Sequence, residues 1–128
     1  SNTENMGVLV DSLDDYLHDD SSLFIFSTNV TYFGRMYNFF GDSKYKSKSF
    51  LKEQKNEKEI LEFLKKLDDS ILESMKSGKT SNLMEAENLM YSRNVFLFAL
   101  EVFRRLHDED KIEMEQLLYS SIRQENTV

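Results

Sequence analysis

The segment from Asn82 to His107 holds the longest apolar run of the chain and constrains the fold most. Its large apolar residues fall on almost every side of a helix: Leu83, Met84, Leu89, Met90, Val95, Phe96, Leu97, Phe98, Leu100, Val102, Phe103 and Leu106. A helix that is apolar nearly all round requires neighbours on most of its sides. We therefore predict an all-α, single-domain helical bundle of about five to seven helices around a central apolar helix at residues 95–106.

The boundaries of this segment leave two arrangements open. Asn82 is suited to cap a helix N-terminus, and Glu85 stands where the acidic partner of a capping box is expected. One helix over 82–107 and two helices separated near 91–94 both fit. Ser92 and Asn94 are good caps for a second helix.

Composition excludes several classes of protein. Of the 128 residues, 40% are hydrophobic, which is too apolar for a disordered chain. The net charge of −7 argues against nucleic-acid binding, because phosphate contacts require a basic face. Cysteine is absent, which excludes disulfides and cysteine-ligated metals and is compatible with a reducing compartment. No apolar stretch is long enough for a membrane span, so we expect a soluble, cytoplasmic protein.

The two ends of the chain are expected to lie outside the folded domain. Ser1-Asn2 resembles the remnant of a cleaved expression tag, and we expect residues 1–5 to be disordered. The helical domain is predicted over 6–124, and residues 125–128 are expected to fray.

Apolar spacing predicts further helices on both sides of the central segment. A stripe at helical spacing predicts a first helix over 7–17, and a longer seam predicts a helix from 56 that ends at Gly78. A last helix over 109–123 should turn four apolar residues inward: Ile112, Leu117, Leu118 and Ile122. Residues 47–54 fit a short helix or a loop.

Residues 23–40 are ambiguous. The runs LFIF at 23–26 and VTYF at 30–33 are rich in aromatic and β-branched residues, as in a hairpin of two short strands. The loop between them lacks the glycine that tight hairpin turns favour. We favour a helix from Asn29 to Phe40, with Gly34 inside it as a sign that another backbone approaches closely.

The residue patterns do not indicate catalysis. The chain has neither a Gly-x-Ser-x-Gly elbow nor a glycine-rich phosphate loop. One group of ionisable residues is spaced for a divalent cation: Asp14, Asp15, His18 and Asp19. A solvated acidic helix end explains this group better. We therefore predict a non-enzymatic protein with no catalytic residues, no cofactor and no metal.

The aromatic residues point instead to protein contact. Residues 24–40 contain more large aromatic side chains than one small helix can bury. We assign the excess, Tyr32 and Phe39, to an exposed patch that contacts a protein partner or a second copy of the chain.

The order of segments over 10–40 is VDSLDDYL, then LFIF, then VTYFGRMYNFF, with the element Gly34-Arg35-Met36-Tyr37 inside the last. An apolar helix beginning near Ser92-Arg93 and an amphipathic end, IEMEQLLYSSI, follow later. This order resembles the poxvirus immune-evasion proteins built on a Bcl-like helical fold, in which such an element opens the second helix. The resemblance implies a decoy in the host cytoplasm that binds host innate-signalling or apoptosis regulators, and it adds Arg35 to the candidate contact residues.

Two alternatives come from the charge and the length. The acidic residues near the first helix fit a bacterial or phage regulator or immunity protein that masks a basic partner: Asp11, Asp14, Asp15, Asp19 and Asp20. Asp14 and Asp15 are the partner-binding candidates in that case. The chain also fits a helical domain excised from a larger protein.

Overall fold

Six α-helices make up most of the regular structure in the computed structural model, which describes residues 2–106 and 113–119. In chain order they are α1 (Asn2–Asp11), α2 (Asp14–Leu17), α3 (Lys48–Lys52), α4 (Glu57–Ser77), α5 (Thr80–Glu85) and α6 (Arg93–Leu106). Within the described residues no β-strand is formed, and Gly34 and Phe39 make an isolated bridge. The predicted all-α, single-domain fold is confirmed.

Helix α6 takes part in both apolar clusters of the molecule. The first cluster joins α6 to α4, α5 and the turn that precedes α6, and consists of Ile71, Met75, Leu83, Leu89, Ala99 and Leu100. The second joins α6 to α1 and α2, and consists of Val10, Leu17 and Val102. The prediction of a central helix at 95–106 is therefore confirmed.

The segment 82–107 contains two helices, so the open question at 91–94 is answered. Helix α6 begins at Arg93, directly after Ser92. The main-chain oxygen of Ser92 accepts hydrogen bonds from the amides of Val95 and Phe96 at 3.1 and 3.3 Å, as expected at an N-cap. The hydroxyl of Ser92 does not cap the helix; it donates to a main-chain oxygen of the extended segment described below.

The capping role predicted for Asn82 is wrong, because α5 begins two residues earlier. The Asn82 side-chain amide instead donates to Ser74 Oγ at 3.2 Å and ties α5 to α4. Arg93 fixes the other end of α5. Its Nε and Nη2 donate to the main-chain oxygens of Leu83 and Ala86 at 3.0 and 2.7 Å, which satisfies carbonyls that the short helix leaves free.

The helix predicted over 7–17 is interrupted after Asp11. The Ser12 hydroxyl donates to the main-chain oxygen of Leu9 at 2.5 Å, and such local side-chain bonds compete with helix continuation. The interruption still allows Val10 and Leu17 to be buried in the same cluster on α6. Residues 2–5, which were expected to be disordered, lie in α1. The tail 125–128 lies outside the described residues.

The helix predicted from Asn29 to Phe40 is wrong, and so is the hairpin alternative. Residues 23–33 have no regular structure. The side chains of 23–30 alternate between exposed and half-buried, as in an extended chain. Leu23 and Ile25 are 82% and 80% exposed, whereas the intervening Phe24 is half-buried. Gly34 has φ 110°, a value that excludes the predicted helix and that side chains rarely allow.

A short turn follows Gly34 in place of the predicted helix. Residues Arg35–Tyr37 form one 3-10 turn, and the Gly34 amide donates to the Phe39 main-chain oxygen at 2.7 Å. The expectation that another backbone approaches Gly34 closely is thus met by a residue of the same loop. The element Gly34-Arg35-Met36-Tyr37 closes a loop and does not open a second α-helix.

The sequence left a short helix and a loop open for residues 47–54. The structure has a short helix there, between two turns. Two 3-10 turns, Ser43–Lys46 and Gln54–Asn56, flank the short helix α3. The long helix predicted from residue 56 is confirmed as α4, and Gly78 ends it in the left-handed conformation with φ 69°.

The last predicted helix is wrong where the structure describes it. Residues 113–119 have no helical structure, and Leu117 and Leu118 are 86% and 83% exposed rather than turned inward. Ile112 and Ile122, which also belonged to this prediction, lie outside the described residues. We call residues 113–119 the strap, because they run along α4 without forming a helix.

Candidate functional site

A groove of about 980 Å³ runs between α4, the extended segment and the strap. The extended segment, residues 23–33, supplies residues 28–33 of the lining. Tyr37 comes from the 3-10 turn that follows it, and the strap supplies residues 114–119. Helix α4 forms the remaining wall with a mixed set of side chains: Glu57, Ile60, Leu61, Leu64, Asp68, Asp69, Leu72, Glu73 and Lys76. The groove has the size of a ligand-binding site, and its lining combines apolar and charged side chains.

The apolar residues of α4 serve two separate surfaces. Ile71 and Met75 point into the main cluster beside α6. Leu64 and Leu72 lie one turn to each side of Asp68 and line the groove instead. The sequence placed the apolar residues of α4 on one inward face, whereas the structure divides them between two faces. The extended segment covers only part of the face that lines the groove.

A buried polar network lies at the floor of the groove. Asp68 on α4 is 8% exposed, and Thr31 of the extended segment donates to its Oδ1 at 2.5 Å. The side-chain amide of Asn88, which is 6% exposed, donates in turn to the Thr31 hydroxyl at 2.9 Å. Buried polar groups that are all hydrogen-bonded fix a single geometry, because any displacement leaves one of them without a partner.

The strap completes this network from the open side. The Tyr119 hydroxyl donates to Asp68 Oδ2 at 2.8 Å. Lys65 Nζ lies 5.2 Å from the centre of the Tyr119 ring, within range of a cation–π contact. Burial, together with the hydrogen bond to the Asp68 carboxylate, holds the pKa of Tyr119 well above its usual value. Tyr119 is therefore a neutral hydrogen-bond donor at neutral pH.

Three tyrosines form an aromatic rim beside the groove. The ring centroids of Tyr32 and Tyr37, which both line the groove, are 5.0 Å apart. Tyr91, just before α6, packs on both rings at 5.3 and 5.7 Å and is 58% exposed. Met36 and Met90 are 57% and 55% exposed. The rim provides large, adaptable apolar area next to the groove.

The structure separates the aromatic residues that were predicted to form one exposed patch. Tyr32 is half-buried and belongs to the rim. Phe39 is only 8% exposed, so its assignment to an exposed patch is wrong; the turn at Gly34 folds its side chain inward. Arg35 is exposed on the 3-10 turn. Among the described groove-lining residues, Tyr32 is the one member of the predicted contact set.

Asp14 and Asp15 are exposed on α2, far from this groove. Helix α2 packs near Val102, toward the C-terminal end of α6, whereas the aromatic rim lies before the N-terminus of α6. Asp14 Oδ1 is 3.5 Å from Nε2 of His18. The structure therefore does not bring the acidic and the aromatic candidates together.

The acidic cluster is partly engaged within the molecule. Arg105 of α6 forms an ion pair with Asp11. The Asp19 carboxylate accepts hydrogen bonds from the hydroxyl and the amide of Ser21 at 2.6 and 2.9 Å, which lowers the pKa of Asp19. Within the described part of the chain, no three His, Asp or Glu side chains are grouped to hold a metal ion.

Comparison with known proteins does not assign the chain to a family. No family model matches the sequence, and neither a curated protein nor a solved structure matches it significantly. None of the helices within residues 2–106 combines the length and the apolar character needed to cross a bilayer.

Sequence reasoning missed Asp68, Thr31, Asn88 and Tyr119. One signal was present: Asp68 follows Leu64 and precedes Leu72 at four-residue spacing, so it is a carboxylate within an apolar stripe. Such a position requires hydrogen-bond partners. The identity of those partners was not readable, because Thr31 and Tyr119 are 37 and 51 residues away along the chain.

Proposed function

We propose that the protein is a non-enzymatic interaction module that binds a segment of a partner protein in the groove between α4 and residues 28–33. The observation that carries the proposal is the buried Asp68 carboxylate, which lies between the apolar side chains of Leu64 and Leu72 in the groove wall. Protein grooves that bind peptides commonly combine apolar area for affinity with a few fixed polar groups for orientation.

The chemistry of the polar groups supports binding rather than catalysis. Both oxygens of Asp68 already accept hydrogen bonds, one from Thr31 and one from Tyr119. A hydroxyl donor on each oxygen makes Asp68 a fixed hydrogen-bond acceptor within the fold. The Tyr119 hydroxyl is kept protonated by its raised pKa, so it is not poised to act as a nucleophile.

The aromatic rim supports the same proposal. Tyr91 and Met90 present exposed apolar surface at the edge of the groove, and aromatic residues carry much of the energy at protein interfaces. A partner segment lying in the groove would extend over this rim. The assignment of the partner to host innate-signalling or apoptosis regulators rests on the sequence resemblance over 10–40 and stays a prediction.

Site-specific photo-crosslinking tests the proposal. A benzophenone side chain would replace Leu61, which is 39% exposed on the groove wall, or Leu9, which is 56% exposed on α1. A protein captured from human cell lysate at position 61 but not at position 9 would be purified. Its affinity would then be measured by titration calorimetry.

The titration decides between groove binding and other modes of binding. We expect the substitution Leu61→Arg to weaken the purified complex by tenfold or more, and Leu9→Arg to leave it within about twofold. Equal effects of the two substitutions would contradict binding in the groove. Binding that weakens steeply with salt and requires Asp14 and Asp15 would support the acidic regulator instead.

A further inference from the structure

The strap shows which chemistry the groove accepts. Its main chain runs along α4 without helical hydrogen bonds, and its side chains from Met114 to Tyr119 line the groove. Met114 packs against the main apolar cluster at one end, and Tyr119 reaches Asp68 at the other. The strap therefore forms one wall of the groove and holds Tyr119 on Asp68 from within the same molecule.

The two oxygens of Asp68 have different partners. Oδ1 is held by Thr31, which Asn88 fixes from behind, so this bond belongs to the interior of the fold. Among the residues that the structure describes, Oδ2 accepts a hydrogen bond from Tyr119 of the strap and from no other side chain. A carboxylate oxygen fixed in this way selects a hydroxyl donor, because a phenyl ring in the same place would leave the oxygen without its hydrogen bond.

The strap is weakly held compared with the helices. Leu117 and Leu118 leave more than four-fifths of their surfaces in water, so two of its three aliphatic side chains add little burial. Segments with few buried apolar contacts open at low free-energy cost. A competing segment that buried two leucines and kept the tyrosine contact would displace the strap.

Starting from the proposed function, we propose that the strap is a self-ligand, and that the partner segment is an extended peptide whose tyrosine replaces Tyr119 on Asp68. The partner tyrosine donates its hydroxyl to Oδ2 of Asp68, and Lys65 contacts its ring. The intact chain is therefore autoinhibited by its own strap until the partner segment displaces it.

A peptide supplied in trans tests this inference. The probe is the strap sequence EMEQLLY with an N-terminal fluorophore, and the readout is fluorescence anisotropy with the full chain. We expect Tyr119→Phe in the chain to bind the peptide about tenfold more tightly than the unaltered chain, because its own strap competes less. Tyr16→Phe, an exposed tyrosine on α2, should bind like the unaltered chain.

Two further comparisons identify the contact. A peptide ending in phenylalanine should bind the Tyr119→Phe chain about tenfold more weakly than EMEQLLY. The additional substitution Asp68→Asn should remove this preference for tyrosine. If circular dichroism shows that the Asp68→Asn chain is unfolded, the comparison of the two peptides decides alone.

Each contrary result has a distinct meaning. Equal binding of the two peptides, or no binding by the Tyr119→Phe chain, would overturn the inference. If position 61 still crosslinks a partner in that case, the proposed function stands and the groove binds a segment of different chemistry. Dimerisation of the Tyr119→Phe chain without peptide binding would assign the groove to a second copy of the chain.

Discussion

Replacing Thr31 with valine tests how strongly the buried network supports the fold. Valine has the shape of threonine but lacks the hydroxyl that donates to Asp68 at 2.5 Å and accepts from Asn88 at 2.9 Å. The substitution therefore leaves the packing nearly unchanged and removes two hydrogen bonds at once. Asp68 keeps its hydrogen bond from Tyr119. Within the network described above, the side-chain amide of Asn88 has no second hydrogen-bond acceptor.

The size of the effect follows from these two bonds. A hydrogen bond to a charged group contributes about 1.5–3 kcal/mol, and a buried amide left without a partner costs about 1–3 kcal/mol. The two effects share one hydroxyl and are not fully additive, so we expect Thr31→Val to lower the free energy of unfolding by about 2–4 kcal/mol. Such a loss is a large part of the stability of a typical domain, about 5–15 kcal/mol.

Urea unfolding followed by circular dichroism measures this loss. With a denaturant slope of about 2 kcal/mol per molar, the middle of the usual range in urea, the expected shift of the midpoint is roughly 1–2 M. Thr28→Val is the matched control. Thr28 lies on the same segment, and its hydroxyl donates only to the neighbouring main-chain oxygen of Asn29 at 3.1 Å.

The control should stay within about 0.5 kcal/mol of the unaltered chain. If Thr31→Val lost no more stability than Thr28→Val, the hydroxyl of Thr31 would not join Asp68 and Asn88 in solution. The assignment of the groove floor as a fixed polar anchor would then be wrong.

Two further changes test other parts of the account. Gly41→Ala should lower the melting temperature more than Gly78→Ala. Both glycines have a positive φ, which costs alanine about 1 kcal/mol of backbone strain. Of these two positions, only Gly41 would place the added Cβ against a neighbouring side chain, 2.3 Å from Phe63 Cζ. Equal losses would show that the ring moves aside freely. Because the pKa of Tyr119 is raised on folding, its contribution is complete below about pH 10 and is lost as pH rises toward the folded pKa. Urea titrations should show this alkaline loss reduced in Tyr119→Phe and unchanged in Tyr16→Phe.

The two long helices could be predicted because their residues obey local rules. Ile71 and Met75 repeat at helical spacing in α4, and Gly78 supplies the left-handed end that the pattern requires. In α6 the run of apolar residues is so dense that burial was certain whatever surrounded it. Periodicity and end signals agree in both helices.

Residues 23–40 could not be predicted because tertiary contacts outweighed local preference. Tyr32 packs on Tyr91, and Phe33 packs on Tyr45, so neighbouring rings find partners on different parts of the chain. An amphipathic helix would have placed the aromatic rings of this segment on one face. Gly34, read as a costly residue within a helix, is in fact the turn that makes the extended course possible.

The helix predicted over 109–123 was wrong at the strap for a related reason. Its sequence has the spacing of an amphipathic helix, but Met114 and Tyr119 are bound at separate places, on the apolar cluster and on Asp68. These two contacts hold the backbone in an extended path. Spacing along the sequence does not reveal such a choice, because the competing partner is on another helix.

Nuclear magnetic resonance can locate the bound peptide on the protein. The Tyr119→Phe chain would be isotope-labelled and mixed with unlabelled EMEQLLY peptide, which tests directly whether the peptide binds in the groove with its tyrosine on Asp68. We expect the largest amide shift changes at Thr31, Leu61 and Asp68, around the groove. Amides of α1 and α2 should shift little. Shift changes centred on α1 and α2 would contradict binding in the groove. Shift changes that stay the same when the peptide tyrosine is replaced by phenylalanine would contradict the tyrosine contact with Asp68.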